Sequence, residues 1–337
     1  MKAVVYHGGT EVQYEDLAKP VPGPDEVLIK VAYAGVCGSD ITIYTGKHKR
    51  VTPPITFGHE VSGEIVQLGE GVTDLKVGDQ VVVEPLVPCG KCYACQSGSY
   101  NVCRNLRHLG IDIPGMFAEY VIARAERAYR LPEGLSIKDA ALVEPASVGV
   151  HAVRRAGVKL DNRVVVLGGG PIGLLCAQVA RVASSAPVDI VEMSDWRLEL
   201  ARKLGFDPID AKKSDTLQEV LKRTGGKGAD VVIDTAGVAA TAQLLPLLAR
   251  IHGTVAMVAM PKEPVPVDFT AFDLKEVGFV SSRAYMRPDY ETAINLLAAG
   301  KVDAKAMVSH VMPLGDWHEA LDLAKKGDAS MKILLQP

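Results

Sequence analysis

The run Val164-Val165-Val166-Leu167 followed by Gly168-Gly169-Gly170-Pro171-Ile172-Gly173 constrains the fold more than any other stretch of the 337-residue chain. Residues 163–167 read as a buried strand, and an apolar helix is expected from about Ile172 to Ala183. A lone G-x-G-x-x-G is weak evidence. Here it follows a strand and opens a helix, the context that a dinucleotide-binding unit requires. Gly168 is expected to make the tight turn, Gly170 to let a pyrophosphate approach the backbone, and Gly173 to pack helix on strand. Pro171 and Ile172 complete the loop, whose helix N-terminus would face the phosphates. A second strand, residues 188–192, ends in Glu192. An acid there accepts both ribose hydroxyls and repels a 2′-phosphate, so NAD is expected over NADP. Arg197, a few residues on, can soften that preference, although a helix-surface arginine is its commoner reading. A helix near 214–224, a strand at 230–234, a helix near 238–250 and a strand at 253–259 follow. Strands alternating with helices predict a parallel doubly wound sheet.

Composition narrows the function. Hydrophobic residues make up 48% and charged residues 23%, with a net charge of −3, an ordinary globular balance. There is no basic stripe with interleaved aromatics, so no nucleic-acid partner is expected. The longest apolar run, Val164 to Ala180, is broken by glycines and a proline, so no membrane helix is expected. The opening residues enter a strand pattern without the apolar core of a signal peptide, and a cytoplasmic protein is expected. In that compartment the six cysteines suit metal ligation or the core better than disulfides.

The first third of the chain has a different texture. Residues 2–6, 12–17 and 26–34 read as strands, with Pro20-Val21-Pro22-Gly23-Pro24 as a break. The stretch from Gly63 to Val83 is strand-like around a turn at Gly78-Asp79, and Gly115 to Val121 returns to strand. Many short strands punctuated by Gly and Pro predict an irregular β-rich, barrel-like domain. Within it, Cys89, Cys92, Cys95 and Cys103 can close a tetrahedral all-thiolate zinc site, which has no open position and is therefore structural. Disulfides are the alternative, but cysteines two residues apart make strained bridges.

A second constellation lies earlier. Cys37, in Val36-Cys37-Gly38-Ser39-Asp40, precedes Gly58-His59-Glu60-Val61-Ser62-Gly63 by about twenty residues. Thiolate, imidazole and carboxylate together suit Zn²⁺, catalytic when one position stays open. Singly, each has a plain reading: a core thiol, a buried histidine, a surface charge. Gly58 permits a sharp turn before the ligands, and Gly63 permits the close approach of another strand. Glu144, before Pro145 in an apolar surround, is either a helix-start carboxylate or a charge with a partner.

The run Gly58-His59-Glu60-x-x-Gly63-x5-Gly69 resembles the zinc-containing alcohol dehydrogenases of the medium-chain dehydrogenase family, and the other motifs extend the resemblance over essentially the whole chain. It implies an α/β protein: an irregular β-rich, GroES-like catalytic domain over 1–147, a Rossmann doubly wound parallel-sheet domain binding NAD over 148–283, and a return to the catalytic domain over 284–337. It implies a catalytic zinc on Cys37, His59 and either Glu60 or Glu144, a structural zinc on the four clustered cysteines, and a homo-oligomer, tetramer or dimer. Zinc would act on an alcohol oxygen as a Lewis acid, and hydride would pass to the nicotinamide. Ser39 resembles the hydroxyl that carries the alcohol proton towards solvent. Thr42 stands where many relatives have a histidine, so the next relay step could fall to Thr42, His48 or the ribose. Arg283 resembles an arginine that sorbitol-type members place near the polyol hydroxyls; a surface ion pair is its plain reading. The expected substrate is a small polyol or vicinal diol. L-Threonine is the runner-up, from Leu109-Gly110-Ile111-Asp112, and an inactive nucleotide-binding protein is a third reading.

Overall fold

The computed structural model describes residues 1–261, 263–327 and 329–337. Contacts divide the chain into two compact units: Met1–Glu144 with Ala293–Gly300 and Met307–Pro337, and Pro145–Thr292 with Lys301–Ala306.

In the first unit β1 (Lys2–Gly8) and β2 (Glu11–Asp16) form a hairpin. The long β3 (Glu26–Gly35) runs into α1 (Gly38–Tyr44), and β4 (Ile55–Thr56) pairs back on β1. Next come β5 (Glu60–Leu68), β6 (Gln80–Val83), β7 (Leu86–Val87), α2 (Tyr93–Gln96) and β8 (Arg107–His108). After them lie β9 (Tyr120–Arg124), β10 (Ala128–Arg130) and α3 (Ile137–Ala140). The close pairing of β3 and β5 depends on Gly63, opposite Val31, where a Cβ would collide with the Lys30 carbonyl. Gly58 holds φ +88°, a left-handed conformation that costs glycine little, against the Phe117 ring. Phe57 and Phe117 meet edge to face at 5.1 Å in the core behind it.

The helix α4 (Val143–Arg155) leads into the second unit. Here β11 (Val164–Leu167), α5 (Pro171–Ala183), β12 (Val188–Glu192), α6 (Asp195–Lys203), β13 (Ile209–Asp210) and α7 (Thr216–Arg223) follow in turn. They continue into β14 (Ala229–Asp234), α8 (Ala239–Leu248), β15 (Ala249–Met257), α9 (Phe269–Asp273) and β16 (Gly278–Ser281). The six strands are all parallel, in the order β13-β12-β11-β14-β15-β16. All four residues of β11 are buried, as helices on both faces of a parallel sheet require. This is the doubly wound order that dinucleotide folds adopt.

Beyond α10 (Arg287–Ala298) and α11 (Ala304–Met307), the chain forms β17 (Val308–Pro313), α12 (Trp317–Lys326) and β18 (Lys332–Gln336). The last strand pairs antiparallel with β3, Leu334 opposite Gly35, and extends the main sheet to β10-β6-β5-β3-β18-β17.

Two local expectations need correction, and one element was not anticipated. Between Gly63 and Val83 the turn at Gly78 is present, at φ +92°, but strand ends at Leu68 and residues 69–77 loop out where strand-like backbone was expected. The continuous strand starts at Tyr120 rather than Gly115, with Ala118 forming an isolated antiparallel bridge to Ala3. Residues 115–117 instead donate backbone hydrogen bonds to Thr56 and Phe57 carbonyls at 2.7–3.0 Å, an irregular ladder. The helix α1 was not anticipated; its Ile41, Thr42 and Ile43 are β-branched and weak helix formers.

Candidate active site

Cys37 precedes α1, held by the start of that helix. The Asp40 carboxylate accepts the Cys37 N–H at 2.8 Å, fixing the turn from which the thiol projects. The second oxygen of Asp40 lies 3.5 Å from His59 Nδ1, and both groups are buried. His59 Nε2 lies 3.5 Å from Ser39 Oγ. An acid behind one ring nitrogen orients the imidazole and leaves the other for a ligand. Glu60 opens β5 opposite Gly35, where a Cβ would collide with its carboxylate. One donor atom each from Cys37, His59 and Glu60 lie within 4.8 Å of one another, with His59 and Glu60 buried.

The electrostatics of this pocket call for a cation. Burial pushes the His59 imidazole down, but Asp40 and Cys37 outweigh it and hold its pKa well above the ordinary value. The donor set of sulfur, nitrogen and oxygen is one that Zn²⁺ accepts. The ring of His108 packs edge-on to His59 at 5.0 Å between centroids. Burial, then the charge of His59, pushes His108 down to about 3, and its Nδ1 donates to the Leu109 carbonyl at 2.6 Å.

Lys332 completes the surroundings, and sequence reasoning missed it. Its side chain is only 2% exposed, yet its Nζ lies against Glu60 Oε2 and donates to the Val36 carbonyl at 2.9 Å. Burial pushes it down, but Glu60, Cys37 and Glu144 outweigh that and keep it above its usual pKa. The available signal was a lysine in an otherwise apolar final strand, which needs a partner. Asp40 was missed too, although an acid three residues past a helix-capping position is a known signature.

Glu144 is buried in the same unit and contributes to the field at Lys332, but it is not one of the three clustered donors. Thr42 donates its hydroxyl to the Ser39 carbonyl at 2.7 Å. Arg283 is exposed and belongs to the other unit.

The second cysteine cluster is local. The Cys92–Cys95, Cys92–Cys103 and Cys89–Cys95 sulfur pairs are 3.5, 3.7 and 3.9 Å apart, and all six cysteines of the chain are unbridged. A tetrahedron with metal–sulfur bonds of 2.3 Å has edges of about 3.8 Å, so the four thiols match a zinc site. Tyr100, inside the lobe, donates to Glu84 at 2.6 Å, and Glu84 also receives Tyr129 and Arg127 at 2.9 and 2.8 Å. That buried carboxylate ties the lobe to the β sheet.

In the second unit Gly168 turns at φ +97°, and a Cβ at Gly173 would strike the Gly168 carbonyl. Gly170 caps α5 and Pro171 and Ile172 start it, so the helix N-terminus opens at the loop. Glu192 accepts the Gly169, Met193 and Ser194 N–H groups at 2.8, 2.6 and 2.9 Å. Arg197 Nη1 lies 3.7 Å from the same carboxylate. Among the described residues no helix is long and apolar enough to cross a membrane.

A doubly wound dinucleotide unit, with a second unit carrying a thiolate–imidazole–carboxylate cluster, defines the class of metal-assisted dehydrogenases. Comparison with known proteins agrees. Residues 23–133 match the alcohol dehydrogenase GroES-like domain, and residues 171–299 match the zinc-binding dehydrogenase domain. The sorbitol dehydrogenase of Halalkalibacterium halodurans is 42% identical, covering 100% of this chain and 99% of its own. The 2-dehydro-3-deoxy-L-galactonate 5-dehydrogenase of Pseudoalteromonas atlantica is 39% identical, covering 100% and 98%. The crystal structure of 2R,3R-butanediol dehydrogenase from Bacillus subtilis superposes with a TM-score of 0.94 at 32% identity, covering 100% and 99%. The chain belongs to the zinc-containing medium-chain alcohol dehydrogenase family, and it is an oxidoreductase acting on alcohols.

Proposed function

We propose that the chain oxidises a secondary alcohol of a small polyol or vicinal diol to the ketone with NAD. The observation that carries this reading is the Cys37–His59–Glu60 cluster, with His59 and Glu60 buried and Asp40 behind the imidazole, in a family of alcohol dehydrogenases. We assign the catalytic domain to 1–147 and 284–337 and the NAD domain to 148–283, supported by the pairing of β18 with β3.

A bound Zn²⁺ supplies Lewis acidity at the alcohol oxygen. Cys37 and His59 hold the ion, with Glu60 or Glu144 as the third protein group. Asp40 fixes the imidazole ring so that Nε2 faces the site. Ser39 takes the alcohol proton, its Oγ being within 3.5 Å of a ligand nitrogen. Ser39 hands its own proton on as it does so, to Thr42, His48 or a ribose hydroxyl; the Thr42 hydroxyl itself donates to the Ser39 carbonyl at 2.7 Å. The glycine loop and the N-terminus of α5 hold the pyrophosphate, and Glu192 takes the ribose hydroxyls. The family resemblance, rather than an observed contact, is what assigns Arg283 to the polyol hydroxyls. The four-cysteine lobe holds a structural zinc.

Asp112, in the stretch that resembles threonine enzymes, is engaged by Arg50 and by the His108 N–H at 2.9 Å. Among the described residues β16 is an edge strand of its sheet; it carries exposed Phe279, and Phe269 is exposed too, which supports a homo-oligomer, dimer or tetramer. Unbridged cysteines suit a cytoplasmic enzyme.

Initial rates of NADH formation with polyols, diols and L-threonine test the reading. Turnover of polyols or diols is expected, and turnover of L-threonine alone overturns the substrate class. Glu192→Ala should narrow the preference for NAD over NADP by about tenfold, ~1.4 kcal/mol of lost discrimination. A parent enzyme preferring NADP would contradict the role given to Glu192 and point to Arg197.

A further inference from the structure

We infer that Lys332 is the positioning residue of the metal centre: it holds the Glu60 carboxylate and thereby sets how strongly Glu60 can bind the ion. The inference rests on the zinc reading above and goes beyond it. A lysine with 2% exposure is costly to bury unless its charge is matched and its N–H groups are bonded. Both conditions are met by groups next to the metal ligands. The ammonium donates to the carbonyl of Val36, the residue before Cys37, and lies against Glu60 Oε2.

The same carboxylate belongs to the cluster with Cys37 and His59. With a metal bound, Glu60 would therefore be shared between two cations, the fixed ammonium from β18 and the ion. Gly35 keeps the shared position open, since any side chain there would occupy the carboxylate's place. A carboxylate already compensated by an ammonium donates less charge to a metal. A zinc ion held there by Cys37 and His59 would then be a stronger Lewis acid than one on a fully donating Glu60. Without the ammonium, the buried carboxylate has the metal as its remaining counter-charge and binds it fully. A merely structural lysine, pinning β18 to Val36, makes the opposite prediction, because its loss loosens the walls of the site.

The test follows zinc release from the full-length enzyme into a chelator with a colorimetric indicator. The release phase absent from Cys37→Ser belongs to this centre. If Cys37→Ser releases zinc as the parent does, the zinc reading itself fails, separately from the role of Lys332. Lys332→Met should slow that phase about tenfold, the scale on which groups behind metal ligands move metal affinity. Lys332→Gln, which can still donate to Val36, should shift release in the same direction and serves if the methionine variant does not fold. Lys332→Arg keeps the charge and should release zinc at the parent rate. In a Glu60→Gln background, Lys332→Met should have no effect on the phase. Unchanged or faster release on removing the charge, or slowing that persists without the Glu60 carboxylate, overturns the inference.

Discussion

The first unit carries two thiolate clusters, and they differ in how their charges are arranged. The four-cysteine lobe draws all its donors from residues 89–103, and three of its four cysteines are partly exposed. The groups that favour a thiolate there are mostly backbone N–H donors, from Lys91 and Cys92 to Cys89 and from Cys95 and Arg104 to Cys92. The Cys37–His59–Glu60 cluster draws on α1, β5 and β18, and buried side chains, Asp40 and Lys332, set its charges. Amides of a short loop come with the thiols they serve. Side-chain partners must be delivered by the fold. One cluster is a clip on the chain, and the other exists only when the sheet is complete.

The largest effect that follows is on catalysis. Cys37→Ser should remove the metal of the Cys37–His59–Glu60 cluster and lower kcat/KM by about three orders of magnitude or more, ~4 kcal/mol of transition-state stabilisation. The melting temperature should move little, because β3 and α1 keep their packing. A large fall in melting temperature with activity retained would reverse the roles assigned to the two clusters.

Cys92→Ser is the mirror experiment. Metal analysis should fall from about two zinc ions per chain to about one, since each cluster offers one site. Structural zinc supplies folding energy directly, apparent values running to ~10 kcal/mol or more in small zinc domains. If about 3 kcal/mol of that reaches the rest of the unit through Tyr100 and Glu84, melting should drop by roughly 6–12 °C. Cys92→Ser protein that keeps both ions would remove the zinc assignment of the lobe.

The same contrast explains what could be read in the sequence. The lobe's donors and the glycine loop with Glu192 are short-range patterns, so spacing alone suggested their grouping. Cys37 and His59-Glu60 came from residue chemistry and from the family resemblance. Lys332 is separated from Glu60 by most of the chain, and only the antiparallel pairing of β18 with β3 brings them together. No local pattern encodes that pairing. The helix α1 was hidden by its β-branched residues, and with it the role of Asp40. Residues 69–77 misled in the other direction, since their Val and Leu suggested strand where the chain loops.

A smaller effect is expected from Asp40→Asn. The amide can still accept the Cys37 N–H, so α1 should form, but the charge behind His59 Nδ1 is lost. Zinc affinity and kcat/KM should each fall about 10–100-fold, with circular dichroism unchanged. A variant indistinguishable from the parent in both would show that buried side-chain charges do not tune this centre, and the contrast with the lobe would collapse.

The subtlest prediction concerns protons in the lobe itself. Hydrogen bonds from the Cys95 and Arg104 backbone lower the Cys92 pKa to about 6, whereas burial first, then the neighbouring thiols, pushes Cys95 up to about 12. In an unfolded chain both would titrate near 9.0. Between about 6 and 9.0 the metal-free lobe therefore holds a Cys92 thiolate that the unfolded chain does not. That contribution to lobe stability is complete above 9.0, shrinks as the pH falls, and is gone below about 6. After gentle zinc removal, brief iodoacetamide treatment at neutral pH should label Cys92 first and Cys95 last, because only thiolates react. The Cys92 rate should rise with a midpoint near 6, read by peptide mass spectrometry. Equal labelling of all four thiols with midpoints near 9.0 would mean that the backbone donors form only around the metal. The lobe would then need assembly as much as the buried centre does, and the distinction between a local clip and a fold-built site would narrow to the distance over which their donors are gathered.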